Sequence, residues 1–360
     1  MTCPVRLYPF RKPKNHRLPV PRYTLDLPPQ VTHVYTSYIG VQQHSDDAAV
    51  TQAKTQACQE VAEWLQSNDG PSTFESFALL DGCDAPGTTI WVGYWTEASQ
   101  YARALESLQL QSIYSRLSKD SRSSVGLWHE TFATAVSRLE TNYSGLDYLP
   151  GLGQIPNSSA AEHELATYWG AARDRIPDSA HDLFPRPSTG TTRPTEWGGL
   201  GQHLMGTSHH NLVHIRSGQW WQTCGQIEAA AYEHKLEPTL RKGLQYLNDN
   251  AQETGAMGLR YLRNTDINEP LIDYNRKETC GAGFFANLED LETWAKTHSS
   301  HLAIWRGAMA HYKAFPDNRM LRTWHEVSII KEGDAKFEYI NCTPATGVMG
   351  ATPLQMNNLE

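Results

Sequence analysis

Two histidines near the carboxyl end of the chain have the residue type and the setting that ligand or acid–base chemistry requires. His301 stands at the start of a helix that is predicted to begin at about Ser300, and His325 stands in the following strand, LRTWHEVSII. An imidazole buried among apolar side chains stays neutral unless a carboxylate or hydroxyl holds its proton. Such a group can ligate a metal or carry a proton, and for any single histidine the common alternative is a core residue bonded to one backbone carbonyl.

The predicted helix and strand each place their histidine on an apolar face. Along the helix, the spacing i, i+4, i+7 and i+11 brings four side chains together, namely His301, Trp305, Ala308 and Tyr312. That face can support a flat, apolar cofactor. Along the strand, the period of two sets His325 on the side of Leu321, Thr323, Val327 and Ile329. The nearby His298 and His311 are expected to be solvated surface residues.

A hydroxyl and a charged cluster add further candidate groups. Ser217 lies in NLVHIRSGQ, where the following Gly218 lets a ligand approach the backbone closely. The alternative for Ser217 is a serine that ends a strand in a turn, and a serine hydrolase is not indicated because no GxSxG elbow surrounds it. Arg173, Asp174 and Arg175 can pair with one another or with solvent, as such clusters usually do.

Four unusual motifs occur in one order along the chain. They are YWGAARDRIP at 168–177, IRSGQWW at 215–221, SHLAIW at 300–305 and LRTWHEV at 321–327. Together they resemble the aldoxime dehydratases, haem enzymes that convert aldoximes to nitriles, and the likeness runs from roughly residue 30 to residue 350. Trp305 stands where that family often carries phenylalanine, which leaves the ligand position unchanged.

The resemblance implies a role for each candidate residue. It makes His301 the proximal haem ligand and His325 the distal catalytic residue, and the serine of IRSGQ matches Ser217. It also brings an arginine of the RDR motif and the glutamate of RLET close to the distal histidine, which indicates Arg175 and Glu140 and leaves Arg173 open. A carboxylate there is expected to raise the pKa of His325 toward neutrality, where general acid catalysis is most efficient.

The activity implied by this resemblance is that of a lyase with haem b, active in the ferrous state. The substrate nitrogen binds the iron, Ser217 holds the oxime oxygen, and His325 acts as general acid and base. One alternative is another haem enzyme on a similar scaffold, either a peroxidase or a chlorite-dismutase-like protein. Ser217 argues against it, because peroxide cleavage calls for a distal arginine or carboxylate. A non-catalytic haem-binding protein is the other alternative.

The composition of the chain limits which partners and which cellular compartment are expected. With 31 basic and 39 acidic residues and a net charge of −8, the chain has no electrostatic footprint for nucleic acid. The six cysteines form no CxxC pair, so neither a zinc site nor a disulfide framework is indicated. A cytoplasmic protein without a membrane partner is expected, because signal-peptide and membrane-spanning patterns are lacking. The basic, Pro-rich segment 1–29 is expected to form an extended arm on the surface or on a neighbouring subunit.

The order of predicted elements repeats. Residues 30–141 and 209–350 each give β-α-β-β-α-β, and both closing strands carry the triplet Trp-His-Glu. The strand FEYINC is expected to pair with the second closing strand. A connector, 142–208, contributes to the active site, with a helical turn before Pro177 and a flexible loop over 185–201, and residues 351–360 form a tail.

The expected fold is therefore α+β, a duplicated ferredoxin-like unit forming a barrel-like haem protein, with a homodimer possible. Only one half can present its closing strand to a haem held by His301. His129 in the first triplet is accordingly expected to be dispensable.

Overall fold

The first part of the chain folds as strands with helices packed on one side. The computed structural model describes residues 5–12, 14–186, 197–265, 276–357 and 359. In chain order, the elements up to residue 143 are β1 (Tyr23–Asp26), β2 (His33–Gln43), α1 (Ala48–Leu65), β3 (Thr73–Gly82), β4 (Thr89–Trp95), α2 (Ala98–Ser107), α3 (Leu110–Arg116), α4 (Lys119–Arg122), β5 (Val125–Ala135) and β6 (Leu139–Tyr143). Helix α1 packs through one apolar stripe, because its residues Val50, Ala57, Val61 and Leu65 are all buried.

The remaining elements include the helix and the strand that carry the two candidate histidines. They are β7 (Ser159–Glu162), β8 (His203–Thr207), β9 (Leu212–Trp220), α5 (Gln226–Ala231), α6 (Glu237–Asp249), α7 (Ala251–Thr254), β10 (Ala256–Thr265), β11 (Glu278–Phe285), α8 (Leu288–Thr297), α9 (Ser299–Ala314), β12 (Arg322–Ile330), β13 (Ala335–Ile340) and β14 (Leu354–Asn357). A π-helical turn, Tyr232–Leu236, joins α5 to α6. Helix α9 begins one residue before the predicted start, because the side chain of His298 caps it by accepting from Ser300 N–H.

The described strands form one sheet with the order β14-β8-β13-β5-β2-β4-β3-β10-β11-β9-β12-β6-β1-β7. Its centre consists of β5-β2-β4-β3 followed by β10-β11-β9-β12, and the two sets meet where β3 pairs antiparallel with β10. Aromatic side chains from both sets share one core, in which the His214 ring lies 4.9 Å from Tyr38 and 4.7 Å from Phe132. The mixed α and β fold that was predicted is confirmed.

One predicted pairing is wrong. Strand β13, the FEYINC segment, pairs with β5 and β8 of the first set and not with β12. The free edge of β12 is instead taken by β6, which follows β5 after the short 3-10 turn Val136–Arg138. Each closing strand is therefore hydrogen-bonded at its outer edge by the strand that follows the other one, so the two sets exchange their edge strands.

The same close contact recurs in both sets. A Cβ atom built on Gly40 of β2 would come within 2.1 Å of the Trp128 ring, and one on Gly218 of β9 would come within 2.2 Å of the Trp324 ring. Glycine is needed at both positions because the indole lies directly over the neighbouring strand. The tryptophan of each triplet consequently faces the inside of the sheet, which turns the following histidine to the opposite face.

The connector packs against its own chain. The turn predicted before Pro177 corresponds to a 3-10 segment, Trp169–Arg175, in which both arginines are buried. Most of the loop predicted over 185–201 lies outside the described residues. The N-terminal arm runs along this connector, where Asp174 accepts hydrogen bonds from the backbone N–H groups of Arg11 and Lys12.

Candidate active site

A cavity of about 320 Å³ lies between helix α9 and the outward faces of strands β9 and β12. Most of its walls are apolar, and its lining includes Leu236, Leu240, Leu244, Leu247, Leu291, Ile304 and Trp294. The four residues predicted to share one face of the helix all line it: His301, Trp305, Ala308 and Tyr312. Ser217 and His325 line it from the sheet, so the cavity brings together the groups that were picked out from the sequence.

His301 has the chemistry of a neutral nitrogen ligand. Its Nδ1–H donates to the backbone oxygen of Ala295 at 2.9 Å, which leaves the lone pair on Nε2 free. Burial lowers the pKa of His301 to about 4, so the imidazole is unprotonated near neutral pH. The ring packs edge-on against Trp294 at 4.8 Å, which fixes its orientation. A neutral imidazole held through one nitrogen, in an apolar cavity, is a donor that can bind haem iron.

The expectation that the two neighbouring histidines are solvated is wrong. His311 is buried because Glu228 of α5 reaches its Nε2 at 3.2 Å. His298 is half-buried, since it caps α9 and stacks on Tyr246 with 3.8 Å between ring centroids. Both imidazoles therefore have structural partners. His311 also lines the cavity and its Nδ1 has no partner within the described residues, but its Nε2 is bonded to a carboxylate, whereas His301 is held by a backbone carbonyl through Nδ1.

Three side chains from separate parts of the chain form a buried hydrogen-bonded relay, which consists of His325, Glu140 and Arg175. The Nδ1–H of His325 donates to Glu140 Oε2 at 3.0 Å, and Arg175 Nε donates to Glu140 Oε1 at 2.5 Å. Glu140 lies on β6 directly beside β12, so the exchanged edge strand supplies the carboxylate. Arg173 makes a different pair, with Glu292 of α8 at 3.0 Å. The geometry thus brings Arg175 to the relay and takes Arg173 away from it.

Two contacts of His325 were not foreseen. Asn142 lies opposite His325 in the strand pairing, and its Nδ2 is 2.8 Å from Nε2 of the imidazole. The ring of Trp169 packs against the imidazole at 4.6 Å. The sequence could have indicated Asn142, because it lies two residues after Glu140 and the period of two in a strand places both side chains on one face. The position of Trp169 depends on how the connector folds back, which no local pattern shows.

Charge and burial determine the protonation states of Glu140 and His325. Burial would raise the pKa of Glu140, but the charge of Arg175 and the charge and hydrogen bond of His325 lower it to about 2. Burial lowers the pKa of His325, and the carboxylate of Glu140 offsets this only in part because Arg175 and Arg22 add positive charge. The expectation that Glu140 brings the pKa of His325 up to neutrality is therefore wrong, since desolvation is the larger effect.

Ser217 lies within its strand and not at its end. Strand β9 continues to Trp220, which removes the alternative of a turn serine. Ser217 and His325 are paired residues on the adjacent strands β9 and β12, and both side chains line the cavity. A small polar ligand in the cavity can therefore meet a hydroxyl and an imidazole side by side.

The sequence is similar to known proteins along nearly its whole length. The sequence pattern of the haem-containing dehydratases matches residues 37–348. The chain belongs to that family. It is 30% identical to the aliphatic aldoxime dehydratase of Pseudomonas chlororaphis over 97% of this chain and 96% of that one. The phenylacetaldoxime dehydratase of Bacillus sp. (strain OxB-1) is 29% identical over 94% of this chain and 93% of its own length.

Solved structures agree with this family assignment. The fold of this haem-containing dehydratase matches a crystal structure of an aldoxime dehydratase with a TM-score of 0.80, at 29% identity and over 97% of this chain and 96% of that one. An aldoxime dehydratase in complex with butyraldoxime matches with a TM-score of 0.81, at 29% identity and over 97% and 94% of the two chains. No helix in the described part of the protein is long and apolar enough to cross a membrane.

Proposed function

We propose that this protein is an aldoxime dehydratase, which converts R–CH=N–OH into R–C≡N and water. The observation that carries the proposal is the arrangement of one cavity, in which a neutral His301 faces in from α9 while His325, held by Glu140, faces in from β12. The family assignment supports haem as the cofactor. In its ferrous state, a haem held by His301 supplies the electron density that weakens an N–O bond.

His325 is the proton carrier in this proposal. Its Nδ1–H is engaged by Glu140, so a ligand exchanges a proton with Nε2, where it takes the place of Asn142 Nδ2, which contacts Nε2 at 2.8 Å. An imidazolium at this position donates the Nε2 proton to the departing hydroxyl, which leaves as water. The neutral imidazole then takes the proton from the substrate carbon, so the histidine ends in the state in which it began.

The remaining groups hold and orient the reactants. Ser217 donates a hydrogen bond to the oxime oxygen, and Glu140 with Arg175 keeps the imidazole in one tautomer and one orientation. Asn142 suits both protonation states of His325, because its amide can donate to Nε2 or, when turned over, accept from Nε2–H. The apolar walls exclude water, which strengthens each of these polar contacts.

The test of this function is nitrile formation by the haem-loaded protein. The protein is reduced under anaerobic conditions, given butyraldoxime or phenylacetaldoxime without peroxide, and the products are separated by gas chromatography. Equimolar loss of aldoxime and gain of nitrile is expected. A protein that leaves both aldoximes unchanged but oxidises a phenolic substrate with peroxide would contradict the proposal and favour a peroxidase.

The finer organisation of the fold is also part of this proposal. Two ferredoxin-like units, over 30–141 and 209–350, are supported by the repeated strand order and by the Gly–Trp contacts that recur in both. The segment 142–208 is then a connector that delivers Arg175 to the site, and 1–29 is an arm. Assembly as a homodimer and a cytoplasmic location are expectations that size-exclusion chromatography and cell fractionation test.

A further inference from the structure

The arginines of the cavity wall, Arg17 and Arg22, both come from the N-terminal arm. Of the arm, His16, Arg17, Pro19 and Arg22 line the cavity, whereas the side chains from α6 and α8 are apolar. No aspartate or glutamate occurs among the described residues that line it. The cavity therefore has an apolar side and a cationic side, and the cationic side lacks an acidic counterpart within the described part of the chain.

Arg22 is the most deeply placed of these cations. It is only 6% exposed, and it bridges the two walls by donating from Nη2 to Tyr312 Oη at 2.9 Å and from Nη1 to Thr323 Oγ1 at 3.2 Å. Its Nε has no hydrogen-bond partner within the described residues, and none of the ion pairs found there includes Arg22. A buried guanidinium without a carboxylate is costly, so the site favours an anion that is supplied from outside the chain.

A second arginine strengthens the positive potential at the same place. Arg319 lies over the Tyr312 ring at 5.0 Å from its centroid, and Arg22 lies at 5.8 Å. Burial alone would raise the pKa of Tyr312, but the charges of the two arginines lower it instead. The Tyr312 hydroxyl, near the end of α9, therefore lies in a region of net positive charge.

We infer that Arg22 binds a haem propionate, which makes the N-terminal arm part of the cofactor site. Haem has one edge with two carboxylates and an opposite edge with only apolar substituents, and the cavity has the same division. A carboxylate that is taken out of water needs a charged hydrogen-bond partner, and arginine is the side chain best suited to it. The inference rests on the proposed haem site and fixes which edge of the haem faces the arm.

The experiment compares haem with its dimethyl ester, in which both propionates lose their charge. Full-length protein is loaded with either compound, and its release to excess apomyoglobin is followed at the Soret band. The variants are Arg22→Met, which keeps length and removes charge, and Lys14→Met, which removes a charge from an exposed arm residue outside the cavity. Circular dichroism melting reports whether each variant is folded.

Wild type and Lys14→Met are expected to release the ester roughly 10- to 150-fold faster than haem, since a hydrogen bond to a charged group contributes about 1.5–3 kcal/mol. Arg22→Met is expected to release haem faster by a similar factor and to release the ester at nearly the wild-type rate. If Arg22→Met releases both compounds equally faster than wild type, Arg22 only supports the wall and the inference is wrong. A wild-type protein that holds neither compound would instead contradict the proposed function.

Discussion

The triplet Trp-His-Glu occurs in β5 and in β12, yet the two histidines have different surroundings. His129 in β5 is closed in, with Ser37 Oγ at 2.7 Å from its Nε2 and the Trp64 ring of α1 packed edge-on at 6.1 Å. His325 in β12 borders the cavity and is bonded to Glu140. The same strand motif therefore gives a core residue in one half and a cavity residue in the other.

The other two members of the triplet behave alike in both halves. Arg260 lies 3.9 Å from the Trp128 ring centroid and Arg216 lies 4.6 Å from that of Trp324. Glu130 is paired with Arg260, and Glu326 accepts hydrogen bonds from Tyr94 Oη at 2.7 Å and Leu152 N–H at 2.8 Å. Tryptophan and glutamate thus stabilise the interior of the sheet, whereas the role of the histidine depends on what covers the outer face.

Two features separate the halves. The segment 98–122, which precedes β5, contains no histidine, whereas α9 before β12 carries His301. The carboxylate beside His325 comes from β6, but β13, which takes the equivalent edge of β5, places Glu338 opposite His129 without a hydrogen bond between their side chains among the described contacts. In the proposed active site, the second half therefore differs from the first by the carboxylate beside its histidine and by the facing His301, and not by the triplet.

Removing the proposed haem ligand is expected to have the largest effect. His301→Ala should lose haem, because the protein's nitrogen bond to iron is gone. The measurement is the Soret absorbance per folded protein after purification, with His298→Ala and His311→Ala as controls that keep their haem. A full Soret band in the His301 variant together with its loss in either control would show that the wrong histidine was chosen.

Breaking the relay sharpens the contrast between the two halves. Glu140→Gln removes the carboxylate that favours the imidazolium, so the pKa of His325 falls further below its ordinary value. The alkaline limb of kcat/KM against pH should shift to lower pH, and turnover near neutrality should fall by roughly 10- to 150-fold, because a charge-assisted hydrogen bond contributes about 1.5–3 kcal/mol. Glu338→Gln beside His129 is the matched control, and an unshifted profile in the Glu140 variant would remove Glu140 from the proton path.

The two serines offer a smaller, paired test. Ser217→Ala should lower kcat/KM by roughly 5- to 150-fold, since one hydrogen bond to the substrate is worth about 1–3 kcal/mol while the iron ligand and proton donor remain. Ser37→Ala removes the hydroxyl beside His129 and should leave kcat/KM unchanged. Equal rates for wild type and Ser217→Ala would mean that the oxime oxygen is held elsewhere.

The smallest effect is expected at the first triplet. His129→Ala should keep wild-type turnover per bound haem, since its imidazole reaches Ser37 and not the cavity. Its cost should be in stability alone, about 0.5–1.5 kcal/mol for the lost hydrogen bond and somewhat more for packing. Denaturant unfolding measures this, and an activity loss without a stability loss would overturn the distinction between the halves.

The periodicity of the sequence predicted the features that depend on a single helix or strand. The helical period placed His301, Trp305 and Ala308 on one face, which lines the cavity. The strand period put the Trp324 ring on the core side, where it packs over Gly218, and His325 on the other. Contacts between distant elements could not be read in this way. The partner of His325, Glu140, lies 185 residues away and was indicated only by resemblance to a family.

The predictions that were wrong also depend on contacts between distant elements. His311 is buried by Glu228 of another helix, and the exchange of β6 and β13 between the halves leaves no local signal. Glu140 does raise the pKa of His325, but the prediction that the pKa comes up to neutrality was wrong because burial, which lowers it, is the larger effect.

The most direct test of the account is nitrile formation per bound haem in His325→Ala and His129→Ala, measured side by side on reduced protein. The His325 variant should keep its haem and still perturb its spectrum on addition of aldoxime, yet lose roughly 100- to 10,000-fold in turnover, as expected for a missing general acid. The His129 variant should match wild type. Wild-type turnover by the His325 variant, or an equal loss in both variants, would contradict the assignment of the active site to the second half.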